Sequence, residues 1–142
     1  MINNIKSIVI VGGGTAGWMG APYLHKIFNN NIAYINFKKV KSKKAIKEVL
    51  KRIENTDGVI LDIRNYPNSS IMRSVTNFFC TSKQPFVKFA AQSIKYPGAL
   101  IWEKTVYCGK KAGKKYRGKV AVLTYESTVS FGEYFTMALS TI

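Results

Sequence analysis

The sequence predicts an α/β protein, with helices laid against a largely parallel sheet. Three observations carry that expectation. Four short apolar runs rich in β-branched residues read as buried strands: "IKSIVIV" (5–11), "IAYINF" (32–37), "VILDI" (59–63) and "KVAVLTY" (119–125). Between the second and third, Ile46, Val49, Leu50 and Ile53 recur at i, i+3, i+4, i+7, the spacing of one helix face. The joints on either side are short, so strand, helix and strand make a βαβ unit with a parallel pair and a right-handed crossover. With 142 residues, 46% of them hydrophobic, the chain can bury one real core.

Taken in order, the strand at 5–11 runs into a Gly-rich turn, and Thr15 to about Phe28 reads as a helix that "NNN" (29–31) interrupts. After the strand at 32–37, Ser42 is placed to N-cap a helix reaching about Asn55, and Asp57-Gly58 ends it. "RNYPNSS" (64–70) is a loop at the C-terminal end of the strand 59–63, where open α/β sheets build their sites. A short helix is expected over about 70–79, then extended strands around Pro97-Gly98 within 85–110, then a basic loop. The strand 119–125, a turn at "ESTV" and a helix from Ser130 to about Ser140 complete the order. Phe131, Tyr134, Phe135 and Ala138 give that last helix its apolar stripe.

The charge balance is lopsided, with 22 Lys and Arg against 7 Asp and Glu, a net +15. Two clusters supply most of it, "KKVKSKKAIKEVLKR" (38–52) and "KKAGKKYRGK" (110–119). Such runs can meet phosphates or anionic lipid. Lys43, Lys47 and Lys51, at i, i+4, i+8, equally read as the solvated stripe of an amphipathic helix. No nucleic-acid module is recognisable and no aromatic residues interleave with the basic runs, so no nucleic-acid partner is expected. Residues 7–24 carry no charge, but their glycines and Pro22 suit a spanning helix poorly, so no transmembrane segment is expected. As an export signal the stretch has Lys6 and an apolar run, with a weak cleavage site in which Met19 stands ahead of Ala21. Cys80 and Cys108 are too few for a disulfide framework and read as thiols. No metal site is expected.

The opening "IVIVGGGTAGWMG" (8–20) sets Gly12, Gly14 and Gly17 in the G-x-G-x-x-G spacing between a strand and a helix, as in a Rossmann-like βα unit. Such glycines let the backbone approach a pyrophosphate at the helix N-terminus. The ribose-binding acid is lacking, because the first carboxylate in the chain is Glu48 and the next strand ends "INFKK". The wording of the stretch resembles the N-terminus of the flavin-dependent tryptophan halogenases. On that resemblance Gly12, Gly14 and Gly17 would face FAD. The resemblance covers only residues 5 to about 24, and the expectation is that the unit serves as structure and that no cofactor is held.

A second constellation lies at "YESTVSFGEYFTMAL" (125–139), where a strand and turn deliver Ser130 to a helix start. A nucleophile suits that place, because the helix dipole favours negative charge and the Phe131 N–H can hold an oxyanion. Ser130 and Glu133 also spell a capping box, Ser at N-cap and Glu at N3. The single His is His25, far off in sequence, so a Ser-His-Asp triad has little support, while a Ser–Lys dyad stays open.

From about Ile32 to the end the chain resembles the catalytic core of the C-terminal processing peptidases, the tail-specific proteases. Three pieces in order carry it. "IAYINF" is similar to the strand that opens that core. "KEVLKRIENTDGVILDIRNYP" is similar to its helix and its "DLRNNPGG" strand and loop. "GKVAVLTYESTVSFGEYFTMAL" is similar to its "VVLVNEGSASASEI…AL" strand, nucleophile turn and helix. The resemblance implies a crotonase/ClpP-like βαβ core over residues 32–142, preceded by the Rossmann-like βα fragment at 1–31. It implies Ser130 as nucleophile, with Phe131 and Asn68 giving the oxyanion N–H groups and Asp62, Arg64 and Pro67 shaping the loop. Asn68 stands where the family has Gly, and Asn tolerates left-handed backbone better than most residues. The family's general-base Lys lies on a later strand and turn, beyond residue 142, and its PDZ module has no counterpart. The expectation is therefore a truncated, chimeric serine peptidase-like chain with weak or no turnover. Its substrate would be peptide or protein, and a homo-oligomer is possible. The family is often exported, but the location stays open. A halogenase-like flavin-binding fragment and a non-catalytic basic scaffold are the alternatives.

Overall fold

The computed structural model describes residues 8–12, 25–27, 31–110 and 116–142. Five strands form one sheet: β1 (Ile8–Gly12), β2 (His25–Ile27), β3 (Ile32–Asn36), β4 (Gly58–Asp62) and β9 (Lys119–Thr124), in the order β1-β9-β4-β3-β2. β1, β9, β4 and β3 run parallel, and β2 closes the far edge antiparallel to β3. The expected βαβ unit is present, with α1 (Lys43–Ile53) joining the parallel neighbours β3 and β4. Strands from both sides of residue 31 therefore share one sheet.

One expectation needs correction. His25–Ile27 does not end a helix; it is strand β2, with His25 opposite Ile35 and Ile27 opposite Ala33. An unpaired β3 edge offers a row of backbone donors and acceptors, and a neighbouring strand satisfies them. The rest of the expected helix, residues 15–24, lies outside the described residues, as do Gly14 and Gly17.

Alternation along the strands explains the core. Ala33 and Ile35, Val59 and Leu61, and Val120 and Val122 are buried at every second position. Against them lie Ile46, Val49 and Ile53 of α1, Val75 and Phe79 of α2 (Met72–Phe79), and Phe135 and Leu139 of α3 (Phe131–Leu139). Ser42 caps α1 as the sequence predicts, its Oγ accepting the Ala45 N–H at 3.2 Å. The Phe37 and Phe135 rings meet at 5.3 Å, tying the end of β3 to α3.

The segment 84–108 makes two small antiparallel pairs, β5 (Gln84–Val87) with β8 (Val106–Cys108) and β6 (Ala90–Gln92) with β7 (Leu100–Trp102). The second closes through the predicted Pro97-Gly98 turn, where Gly98 at φ +85° supplies the left-handed residue that a type II turn needs. Gly118 has a different task. A Cβ there would sit 2.5 Å from the Tyr116 hydroxyl and 2.6 Å from the Thr56 carbonyl, so only Gly lets the chain enter β9 beside that buried pair.

Because β4 and β9 are parallel neighbours in register from Gly58↔Lys119 to Asp62↔Leu123, the segments following them leave the same edge of the sheet. That edge carries the candidate site.

Candidate active site

Ser130 sits at the exposed N-cap of α3 with φ 54° and ψ −119°. The Gly132 N–H donates to the Val129 carbonyl at 3.0 Å, so Val129–Gly132 is a tight turn with Ser130 at its second position. Those dihedrals are those of a type II′ turn, a place that favours Gly. A serine there is strained, by about 1–3 kcal/mol. The expected capping box forms, with the Ser130 N–H donating to Glu133 Oε2 at 2.7 Å. The preceding turn is held by Thr128, whose N–H donates to the Tyr125 carbonyl at 2.8 Å and whose Oγ1 accepts the Tyr125 N–H at 3.0 Å.

The loop after β4 is organised by Asp62, whose carboxylate is buried. Asp62 Oδ1 accepts from Arg64 Nε at 3.0 Å and from the Arg64 backbone N–H at 3.1 Å, while Oδ2 accepts from Arg64 Nη2 at 2.9 Å and from the Tyr34 hydroxyl at 2.5 Å. Burial alone would push the Asp62 carboxyl up, but the Arg64 and Tyr34 bonds outweigh it and hold it below the usual 3.8. Burial, followed by the bond to Asp62, pushes the Tyr34 phenol up to about 12. The Arg64 guanidinium is held charged chiefly by its bonds to Asp62.

Farther along the loop Pro67 is buried and Asn68 caps a single 3-10 turn, Ser69–Ile71. Asn68 Oδ1 accepts the Ser70 N–H at 2.9 Å and its Nδ2 donates to the Lys41 carbonyl at 3.1 Å. Asn68 does not use the left-handed tolerance anticipated for it: its φ is −71° and its ψ 122°, ordinary extended backbone. The side-chain bonds to Ser70 and Lys41 hold the position without a left-handed turn.

The two segments meet. The Tyr66 ring lies 6.3 Å from that of Phe131, and Gly132 packs over Ile63, where a Cβ would come within 3.9 Å of the Ile63 side chain. Asp62, Arg64, Pro67 and Asn68 thus lie on one segment, with Ser130 and Phe131 on the segment beside it. Phe131 opens α3, so its N–H has no intrahelical acceptor, and neither it nor the Asn68 N–H has an acceptor among the described residues. Sequence reasoning missed Tyr34, Tyr66 and Thr128. The turn "YEST" could have found the last, whereas Tyr34 meets Asp62 only through the pairing of β3 with β4.

Other candidates for chemistry lie elsewhere or fail. Among the described residues no three His, Cys, Asp or Glu side chains gather to hold a metal. Cys80 and Cys108 are buried thiols in no disulfide, both within reach of the Thr141 hydroxyl, at 3.9 and 3.3 Å. No helix among the described residues is long and apolar enough to cross a membrane. Gly12 ends β1 at the sheet edge.

Comparison with known proteins gives two matches that overlap over residues 31–47. A family model described as Peptidase family S41 matches residues 31–141. A second, described as Tryptophan halogenase, matches residues 7–47. Over 35 residues the chain is 54% identical to tryptophan 6-halogenase ThaL of Streptomyces albogriseolus, which is 25% of this chain and 7% of that protein.

Proposed function

Because the chain belongs to peptidase family S41, we propose that residues 32–142 are a serine-peptidase core with a crotonase/ClpP-like layout, in which Ser130 is the nucleophile. The observation that carries this reading is the strained backbone of Ser130 at the mouth of α3. A serine held at φ 54° where Gly is preferred has a reason beyond capping, since an unstrained cap would serve the helix as well. In this reading Ser130 Oγ attacks a peptide carbonyl carbon while its proton passes to a base. The carbonyl oxygen becomes an oxyanion and accepts from the Phe131 and Asn68 N–H groups. The amine then leaves with a proton, and water hydrolyses the acyl-enzyme. Asp62 and Arg64 are positioning residues that keep the Asn68 loop in place, and the resemblance assigns the base to a lysine. The substrate is a peptide or protein. A fluorophosphonate probe tests the reading: covalent labelling that Ser130→Ala abolishes is expected, and unchanged labelling in that variant overturns it.

The halogenase match favours a second reading, in which residues 1–31 form a flavin-binding unit. The described residues do not fit that group. In a dinucleotide fold the strand after the glycine helix lies beside the first strand, whereas β1 neighbours β9 and stands three places from β3. The β3 tip offers Asn36, whose Oδ1 already accepts the Lys38 N–H at 3.1 Å, rather than a ribose-binding carboxylate. We therefore take this unit as structural, and purified protein lacking flavin absorbance is the expected result.

A further inference from the structure

We propose that the groove between α1 and α2 binds an acidic polypeptide segment and makes acidic chains the substrate class of the proposed peptidase, an inference that rests on the Ser130 reading. The groove has a volume of about 720 Å³ and five cations among its lining residues: Lys43, Lys47 and Lys51 from α1, Arg73 from α2, and Lys110. Among the described residues Glu54 is the one carboxylate that lines it. The lysine stripe of α1, which in isolation reads as a solvated face, is thus one wall of a cleft with cations on both sides. A chain bearing several carboxylates can satisfy all five charges at once.

Spacing and position fit an extended acidic peptide. Lysines four apart on a helix recur every ~6 Å along its axis. Same-face side chains of an extended strand recur every ~6.7 Å, so Asp or Glu at alternate positions would meet Lys43, Lys47 and Lys51 in turn. The groove also leads to the site. Ser69 and Ser70, which line it, directly follow Asn68 on the loop after β4. A second cavity, of about 480 Å³, shares Arg73 and Lys110 with the groove and reaches Tyr134, one turn beyond Ser130 on α3. A single-stranded nucleic acid fits less well. Among the described residues Phe78 is the aromatic residue that lines the groove, and its ring is taken up by Phe79 at 4.9 Å and Tyr116 at 5.8 Å, so the lysine-lined groove itself offers bases no stacking platform.

Fluorescence anisotropy with a labelled peptide of alternating Glu and Gly tests the groove on the full chain. The Lys43→Gln/Lys47→Gln/Lys51→Gln variant is expected to bind about tenfold more weakly, and a Gln-Gly peptide is expected to lose as much. Lys38→Gln/Lys39→Gln/Lys104→Gln makes the same change of charge at exposed positions elsewhere and is expected to change binding less than about twofold, with circular dichroism confirming that both variants fold. Equal loss in the two variants, or tighter binding of oligothymidine of the same charge, overturns the proposal. Ser130→Ala is expected to bind the acidic peptide unchanged. Failure of labelling would therefore strike the nucleophile and with it the assignment of acidic chains as substrates, while failure of anisotropy would strike the groove and leave the nucleophile standing.

Discussion

Arg64 folds back onto Asp62 two residues before it, closing a two-pronged fork at 3.0 and 2.9 Å at the point where β4 gives way to the site loop. The fork matters because Asp62 is buried, and a buried carboxylate persists only when its oxygens are satisfied. Asp62→Asn keeps the shape but removes the charge and leaves the guanidinium facing an amide. A loss of about 2–4 kcal/mol of unfolding free energy is expected, measured by urea titration at neutral pH. The pH dependence has a definite sign. The folded Asp62 pKa lies below its ordinary 3.8, so its stabilisation is fully present above that value and is lost as pH falls through the lower folded value. Asp62→Asn should lack that part of the acid limb, and an unchanged acid limb would contradict the fork.

Tyr34 gives the opposite limb. Its folded pKa is raised from 10.0 to about 12, so the unfolded chain loses the phenolic proton first as pH rises. The stabilisation that Tyr34 contributes is present below pH 10 and declines between about 10 and 12. Tyr34→Phe should flatten that decline. Measurements of melting temperature across this range check it, and a variant that declines as steeply as the parent would show that neither burial nor Asp62 raises the phenol.

Legibility from sequence followed locality. The α1 helix was readable to its cap because Ser42 and the i, i+3, i+4 pattern lie within one segment, and Ile46, Val49, Leu50 and Ile53 are all buried. Strands β4 and β9 were readable because their β-branched runs are short and bounded. What could not be read depends on partners remote in sequence. That β1 would lie against β9, 112 positions on at Ile8↔Val120, has no local signature. Nor does the hold of Tyr34 on Asp62. At Ser130 the local signal was correct but incomplete. The capping box is there, but the positive φ arises from the Val129–Gly132 turn and cannot be seen in the letters Ser-x-x-Glu.

The Ser130 strain can be measured directly. Ala at φ 54° retains the steric conflict between Cβ and backbone, whereas Gly has none. Ser130→Gly should therefore be more stable than Ser130→Ala by about 2 kcal/mol in urea unfolding, about half of it from relief of the strain and the rest from the ordinary preference of an N-cap for Gly over Ala. Both variants should lose fluorophosphonate labelling. An Ala variant as stable as the Gly one would mean that the turn relaxes and that the serine bears no strain.

The oxyanion role of Asn68 can be separated from its structural role by comparing two substitutions. Its side chain ties Ser70 to Lys41, so Asn68→Ala should cost about 1 kcal/mol through the lost cap and leave the backbone N–H in place. Asn68→Pro also loses the side-chain bonds and, in addition, removes the N–H. A φ of −71° lies within the proline range, so the ring needs no change of backbone there. The difference between Pro and Ala then isolates the N–H donor. If that donor holds the developing oxyanion, the rate of Ser130 labelling should fall by about 10²–10³ from Ala to Pro, the usual effect of removing one such donor. Equal rates in the two variants, with both shown to be folded, would leave Phe131 as the sole donor and assign Asn68 to loop anchoring.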